Sequence, residues 1–401
     1  MAPVFSSTFA VAAALLYSSL AVDAVVVSKD VSKNLRSGAT SISKMMPFYH
    51  TTDEISAELK RLAGSCQGLT LKTVGGPERS IDVVTMKRPG ANPVNKNFIL
   101  FGEHARELIS PESGLHFIKS LCGETDLAEH ATSVLQDNEY MIVVNGNPDS
   151  RRKVEQGDFC LRTNPNGVDL NRNWAEHWQA ETVLQSDDTN PGPEPFSEPE
   201  TKAFKQLVTE YRPTTFLTIH SGTRGMYMPW AYDMEHLAKR NQPEMMEILR
   251  TIDKNHCQCP FGAAGREVGY SCPGTCLDWV YDELKTDYAF AFEIFVDRAQ
   301  DADLKARWEE KMTSEPSFLQ FGRDLAHEHF RDVFESHPSC FVQLKQQHHK
   351  HRSHFDCFTN FNPTDADQYK ETVENWSGAY LDMAAMIAKN LKANKTATTE
   401  V

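Results

Sequence analysis

Hydrophobic and polar positions along the chain predict helices interleaved with strands. Ile55, Leu59 and Leu62 recur at the i, i+4, i+7 spacing and so share one face of a predicted helix over residues 52–62. Runs rich in β-branched and aromatic residues predict strands between further helical patterns. The predicted strands cover residues 69–74, 80–86, 97–102, 140–144, 214–220 and 289–295, and the later helices cover 111–121, 198–210, 244–255 and 365–391. This alternation predicts an α/β sandwich with a mixed sheet.

The N-terminus carries a short apolar run. Residues 9–22 are almost entirely apolar, but these 14 residues fall short of the roughly 20 that a membrane-spanning helix needs. Small residues follow at Val22-Asp23-Ala24, so we expect residues 1–24 to be a signal peptide cleaved after Ala24. The alternative is a buried or disordered N-terminal helix. We expect no stable insertion in a membrane.

The rest of the chain is predicted to form one main domain. Residues 25–46 are rich in Ser and Lys and are interpreted as a flexible arm or a short pro-segment. Residues 47–391 contain all the periodic elements, and residues 392–401 are expected to be a disordered tail. Within the domain, residues 299–354 are highly charged and end in a histidine-rich stretch, which we interpret as an insertion with a solvated loop rather than as a metal site.

Composition and charge exclude some classes of function. Of the 401 residues, 40% are hydrophobic, as in globular proteins. The 41 Lys and Arg residues against 55 Asp and Glu residues give a net charge of −14, which disfavours binding to the phosphate backbone of nucleic acids. Nine cysteines without the C-x2-C spacing of structural zinc sites favour disulfides, with open connectivity. We therefore expect a secreted protein that has no nucleic-acid partner.

Three side chains at predicted strand ends form a candidate metal site. His104 and Glu107 follow the strand at 97–102 and are three residues apart on a predicted turn, while His220 ends the strand at 214–220. Open α/β sheets place their sites at the carboxyl ends of strands. Two His and one Glu are a ligand set typical of catalytic zinc, with a fourth position left for water. A buried histidine without a metal is the simpler interpretation of His220 alone.

Two further features are a charged residue within an apolar strand and a cluster of polar residues in one loop. Glu293 interrupts the apolar strand at 289–295, and an unpaired buried carboxylate is costly, so it is predicted to be either a general base or half of an ion pair. Arg162, Asn171 and Arg172 lie in a polar loop, where an arginine can bind a carboxylate through two parallel hydrogen bonds. The alternative for each arginine is a solvated surface charge.

Taken together, these motifs resemble the zinc metallocarboxypeptidase family. The resemblance rests on motifs that occur in family order between about Phe98 and Val296, with closing segments that resemble the family's last helix. The matching segments are HARE from His104, CLRTNPNGVDLNRNW from Cys160, TIHSG from Thr218, YSCPGTCLDWVY from Tyr270, FAFEIF from Phe290, FNPTDADQY and ENWSGAY. With the element pattern, it implies a three-layer α/β/α sandwich with a mixed, mostly eight-stranded sheet.

The resemblance also implies a role for each matching residue. His104, Glu107 and His220 would hold one Zn²⁺ per chain. Glu293 would be the general base, and Arg162 would bind the developing oxyanion. The positions that match substrate-binding residues are Arg106, Asn171, Arg172, Tyr270 and, at the base of the pocket for the leaving side chain, Leu277.

The predicted function is therefore that of a secreted, monomeric enzyme acting on peptides or proteins with a free C-terminus. Leu277, Ala231 and Ala291 are apolar, so a preference for hydrophobic C-terminal residues is predicted, although Asp233 and Glu267 are close in sequence to the pocket. Two alternatives stay open at this point: a catalytically silent, carboxylate-binding homologue, and an amide hydrolase acting on cell-wall peptides.

Overall fold

The computed structural model describes residues 41–76, 79–180, 187–314 and 354–399. The predicted signal peptide, residues 25–40 of the predicted arm and residues 315–353 of the predicted insertion lie outside the described residues.

One mixed sheet of eight strands runs through the molecule, in the order β1-β2-β4-β3-β5-β8-β6-β7. The four central strands, β4, β3, β5 and β8, are parallel to one another. On one side, β2 is antiparallel to both β4 and β1. On the other side, β6 is antiparallel to β8, and β7 is parallel to β6. The strands are β1 (Leu69–Val74), β2 (Ile81–Met86), β3 (Asn95–Phe101), β4 (Asn138–Val143), β5 (Thr215–His220), β6 (Thr223–Met228), β7 (Phe261–Ala263) and β8 (Tyr288–Phe295). The predicted mixed, eight-stranded sheet is confirmed.

Helices surround this sheet. The first long one begins at a capping box, in which Thr51 accepts from the amide of Glu54 and Glu54 accepts from the amide of Thr51. The helices are α1 (Ile42–Met45), α2 (Thr52–Ser65), α3 (Ile109–Leu121), α4 (Ala128–Val134), α5 (Pro148–Glu155), α6 (Pro199–Tyr211), α7 (Gln242–Ile252), α8 (Ala264–Val268), α9 (Cys276–Asp282), α10 (Arg298–Ser314), α11 (His354–Phe361) and α12 (Ala366–Thr399).

The helices lie on both faces of the sheet, which confirms the predicted sandwich. Neighbouring residues of a strand point to opposite faces. The ring of Phe292 in β8 contacts Trp376 of α12, so Phe292 points to the face that α12 covers. The next residue, Glu293, therefore points to the other face. Helix α12 packs on α3, α4 and α7, and α9 packs on β5 and β8. The carboxyl ends of β3, β5 and β8 meet at one edge of the parallel centre, which is where polar side chains converge.

The described end of the predicted arm packs against the domain. Ile42, which begins α1, and Met46, which follows that helix, are both buried. Tyr49 is also buried, and its hydroxyl donates to the carbonyl of Pro363. His50 contacts the buried Glu112 of α3 at 2.7 Å. Residues 41–50 are thus anchored by both apolar and polar contacts, while the extent of the arm before them stays a prediction.

The domain contains disulfides, as the cysteine content predicts, and two of those described connect distant parts of the chain. The described bonds are Cys66–Cys122, Cys160–Cys357 and Cys257–Cys259. Cys276 is a free and fully buried thiol. Among the described residues, no helix is long and apolar enough to cross a membrane.

Candidate functional site

His104 and Glu107 lie on a tight turn directly after β3. Gly102 begins the turn with φ of 71°, and a Cβ atom at this position would approach Pro111 to 2.8 Å, so the turn requires glycine. The turn brings His104 Nδ1 to 2.7 Å from Glu107 Oε1. Both side chains are almost completely buried.

His220, the last residue of β5, completes this cluster. Its Nδ1 lies 3.1 Å from Nδ1 of His104 and 3.2 Å from Oε2 of Glu107. Ligand atoms of the three residues all lie within 4.8 Å of one another, close enough to share one metal ion. Parallel pairing of β3 with β5 is what aligns the two strand ends.

Asp169 orients the ring of His104 and was not singled out by the sequence analysis, although it lies in the matched segment 160–174. Its Oδ1 is 3.0 Å from His104 Nε2, and its Oδ2 is 2.9 Å from an Arg162 nitrogen. Burial alone would raise the pKa of Asp169. Arg162 and His104 lower this pKa by a larger amount, so it lies well below its ordinary value. An ionised carboxylate accepts hydrogen bonds only, so Asp169 favours a proton on Nε2 of His104, and Nδ1, which faces Glu107, is the nitrogen available to a cation shared with Glu107.

The donor set fits a zinc ion. Nδ1 of His104 and the Glu107 carboxylate both face Nδ1 of His220, at 3.1 and 3.2 Å, so three potential ligand groups lie together. Burial raises the pKa of Glu107, but the adjacent His104 and His220 rings outweigh it and hold that pKa well below its ordinary value. Burial lowers the pKa of His220, yet Glu103 and Glu107 raise it to about 10. This anionic surrounding attracts a cation, and two imidazoles with one carboxylate are typical catalytic zinc ligands.

Glu293 lies beside this cluster on the neighbouring strand. The register of β5 and β8 pairs His220 with Glu293. Glu293 is fully buried, and neither of its carboxylate oxygens has a hydrogen-bond partner within the described part of the chain. Burial and the Glu107 carboxylate raise the pKa of Glu293 to about 8. A cation held by Glu107 would oppose this increase, because it neutralises the nearby charge.

Arg162 supplies a buried positive charge to the same cluster. Asp169 binds it through Nε at 3.0 Å, and its Nη1 lies 3.6 Å from Oε1 of Glu107. Burial lowers the pKa of Arg162, but Asp169, Glu107 and Asp188 more than compensate and raise it. The guanidinium is therefore a charged group fixed next to the three converging residues, where it can stabilise a negative charge.

Asn171 and Arg172 end a short 3-10 turn, Leu170–Arg172. Oδ1 of Asn171 accepts from the amide of Cys276 at 3.0 Å, while its buried Nδ2 has no partner among the described residues. Gly274, with φ of 74°, packs so tightly that a Cβ atom there would lie 2.3 Å from the carbonyl oxygen of Arg172. This contact holds the loop that carries the half-buried Tyr270 against the turn.

Arg106 also points into the protein rather than into solvent. Its Nη1 donates to the carbonyl of Cys160 at 3.1 Å and to Asp188 at 3.0 Å. Its guanidinium lies 4.3 Å from the centre of the Phe361 ring. Arg106 is thus held from three sides, and its predicted contact with substrate stays a prediction.

The predicted pocket residues Leu277, Ala231 and Ala291 are all buried. Leu277 lies in α9, and Asp278 next to it accepts from the amide of Ala231 at 2.9 Å, which joins two of these positions. Asp233 accepts from the amides of Glu235 and His236 and so caps a surface turn. Glu267 packs against Gly262 of β7, because a Cβ atom at Gly262 would lie only 3.0 Å from Oε1 of Glu267. Of the two acidic residues Asp233 and Glu267, Glu267 is therefore the one shown close to the β6–β7 edge.

Comparisons with known proteins agree with this arrangement. A family model described as zinc carboxypeptidase matches residues 55–314, more than half of the chain. Zinc carboxypeptidase A 1 of Anopheles gambiae is 26% identical over 61% of this chain and 60% of its own length. Carboxypeptidase B of Astacus astacus is also 26% identical, over 61% of this chain and 86% of its own length. The chain spans less than two thirds of some relatives, as for the Anopheles protein.

Solved structures show the same fold. Thrombin activatable fibrinolysis inhibitor has a TM-score of 0.62 at 19% identity, covering 85% of this chain and 75% of that chain. Carboxypeptidase A from Helicoverpa armigera has a TM-score of 0.56 at 17% identity, covering 84% and 74%. At these identities the similarity concerns the fold.

Proposed function

Because the chain belongs to the zinc carboxypeptidase family, we propose that it is a zinc-dependent metallocarboxypeptidase that removes the C-terminal residue of peptides and proteins. One observation carries the proposal: His104, Glu107 and His220 converge beside the buried Glu293, whose carboxylate has no hydrogen-bond partner in the part of the chain that the structure describes. A binding module has no need for such a base, so this arrangement favours an enzyme over a catalytically silent homologue.

In this proposal, His104, Glu107 and His220 hold a zinc ion, and Glu293 acts as the general base and then as the general acid. When bound, zinc supplies a Lewis acid that lowers the pKa of a coordinated water to about 7. Glu293 accepts a proton from the attacking water and passes it to the leaving amine. Its lack of partners within the described residues supports this role, because both oxygens are available to a substrate or to water.

Arg162, Asn171, Arg172 and Tyr270 bind the substrate in this proposal. Arg162, held by Asp169, stabilises the negative charge that develops on the carbonyl oxygen. Arg172 binds the terminal carboxylate, with the buried Nδ2 of Asn171 as a further donor. An internal peptide bond leaves the Arg172 guanidinium without that carboxylate, which explains the choice of chain ends.

The pocket supports a preference for hydrophobic C-terminal residues. Leu277, Ala231 and Ala291 offer no charge to a buried Lys or Arg side chain. Full burial of an aliphatic or aromatic side chain contributes roughly 1.5 to 3 kcal/mol.

The disulfides support a location in the secretory pathway or outside the cell. Such bonds persist in oxidising compartments and are rare in the cytosol. Cys66–Cys122 and Cys160–Cys357 each join distant elements of the domain.

A substrate panel tests the proposed function. Purified protein is incubated with N-blocked dipeptides, with and without a zinc chelator, and the released amino acid is measured. We expect release that stops with the chelator and returns with added zinc. Release that is insensitive to the chelator, or cleavage of substrates with an amidated C-terminus at the same rate, would contradict the proposal.

A further inference from the structure

Glu103 is a buried carboxylate next to His104, and the proposed reaction gives it no part. It is 1% exposed, and its Oε1 has no hydrogen-bond partner among the described residues. Its Oε2 accepts from the Thr218 hydroxyl at 2.9 Å and from the Cys276 thiol at 3.4 Å. A buried acid with an unpaired oxygen destabilises a fold, so its presence at the site calls for a compensating function.

Thr218 connects this carboxylate to the predicted zinc ligand His220. Its Oγ1 lies 2.9 Å from Oε2 of Glu103 and 2.9 Å from Nε2 of His220. A hydroxyl group has one proton to donate. Because Thr218 donates that proton to Glu103, its lone pair faces Nε2, and His220 must provide the proton of that second hydrogen bond.

The consequence for His220 is a defined tautomer of the neutral ring, the form in which an imidazole binds a metal. With its proton on Nε2, the ring presents the Nδ1 lone pair, and Nδ1 is the atom that faces His104 and Glu107. Oε2 of Glu103 is also only 3.5 Å from Nε2 and attracts the same proton. The arrangement parallels that of His104, whose Nε2 meets the Asp169 carboxylate directly at 3.0 Å.

We propose that Glu103, acting through the Thr218 hydroxyl, is a positioning residue that holds His220 in the tautomer and orientation required of a zinc ligand. The inference rests on the proposed function, since it assumes that His220 binds zinc. Both imidazoles would then be supported by a carboxylate, one directly and one through a hydroxyl. Loss of such supporting groups typically weakens metal binding by about 10–100-fold.

Zinc affinity, measured by competition with a chromogenic chelator, tests the inference without relying on turnover. Thr218→Val removes the hydroxyl that links Glu103 to His220 and keeps the shape of the side chain. We expect the zinc Kd of this variant to rise at least about tenfold. Thr218→Ser keeps the hydroxyl and should restore near-wild-type affinity. Glu103→Leu should weaken zinc binding as Thr218→Val does, and the double variant should add little, because both changes break one chain of hydrogen bonds.

Thr215→Val is the matched control. Thr215 is a buried threonine of the same strand, and its hydroxyl donates to Asn95 at 2.8 Å, away from the site. We expect similar thermal destabilisation from both threonine variants but an unchanged zinc Kd for Thr215→Val. The visible spectrum of the cobalt-substituted protein should likewise shift for Thr218→Val and not for Thr215→Val.

The outcomes separate this inference from the proposed function. A Thr218→Val Kd within about twofold of the wild-type value, in a protein that binds zinc and cleaves substrates, overturns the role of Glu103 alone. Equal weakening by Thr215→Val also overturns it, because the effect would then come from general destabilisation. A wild-type protein that binds no zinc overturns both.

Discussion

His220, the last residue of β5, pairs in register with Glu293 of the adjacent parallel strand β8, and both are completely buried. The pairing places the imidazole proposed to bind metal beside a carboxylate that has no hydrogen-bond partner among the described residues, on the same face of the sheet. Neither position depends on a flexible loop. The geometry between the proposed metal ligand and the proposed base is therefore set by backbone pairing in the centre of the sheet.

Removal of His220 should abolish metal binding. We expect His220→Ala to lose both zinc and activity, because a catalytic zinc site needs three protein ligands. Elemental analysis after dialysis measures the zinc content. His116→Ala, which changes a partly buried histidine bonded to Ser377 outside the site, should keep one zinc per chain. Stoichiometric zinc in His220→Ala would argue against the assignment.

Replacement of Glu293 by Gln should separate binding from turnover. The variant keeps the shape of the side chain but removes the proton acceptor, so we expect kcat to fall at least about a hundredfold. Zinc content and the affinity for a substrate-like inhibitor should stay near those of the wild type. Turnover close to the wild-type rate would eliminate Glu293 as the base.

The wild-type enzyme should prefer C-terminal Phe or Leu over Arg, as measured by kcat/KM on substrates that differ only in this residue. Leu277→Asp places a carboxylate at the proposed base of the pocket and should move the preference toward Arg. Glu267→Gln identifies the alternative source of charge. A wild-type preference for Arg that disappears in Glu267→Gln would mean that Glu267, rather than the apolar residues, determines specificity.

His50 should make stability depend on pH. Its hydrogen bond to Glu112 raises the pKa of His50 above 6.5, against the opposing effect of burial. The charged form thus stabilises the fold; this contribution is complete below about pH 6.5 and is lost as the pH rises through the folded-state value. His50→Gln should therefore lower Tm more at about pH 5.5 than at about pH 8.5. An equal decrease at both pH values would be inconsistent with this linkage.

Periodic elements could be predicted from the sequence, whereas several short or polar ones could not. The predicted strand at 289–295 corresponds to β8, and the predicted helix at 52–62 to most of α2. No helix is predicted between the strand at 140–144 and the helix at 198–210, yet residues 148–155 form α5. The buried Arg151 of that helix pairs with Glu155 one turn on, and also with Glu112 of α3. No local pattern reveals the second, tertiary partner.

The candidate site divides in the same way. Residues such as His104 and Glu293 stand out in the sequence because they follow or interrupt apolar strands. Asp169 and Glu103 do not, because their importance arises from contacts with rings contributed by other elements. The strands β6 and β7 were also missed, since glycine and methionine make their sequences atypical of strands, although both are largely buried in the sheet.

The Cys160–Cys357 disulfide encloses Arg162, His220 and Glu293 within one covalent loop, while His104 and Glu107 precede it. A single proteolytic cut between the two cysteines would therefore leave both fragments joined. On a denaturing gel, such nicked protein would migrate as one band without reductant and as two bands with it. A cut between Cys160 and His220 would, after reduction, leave His104 and Glu107 on one chain and His220 on the other, so resistance to such nicking would depend on the redox state of this bond.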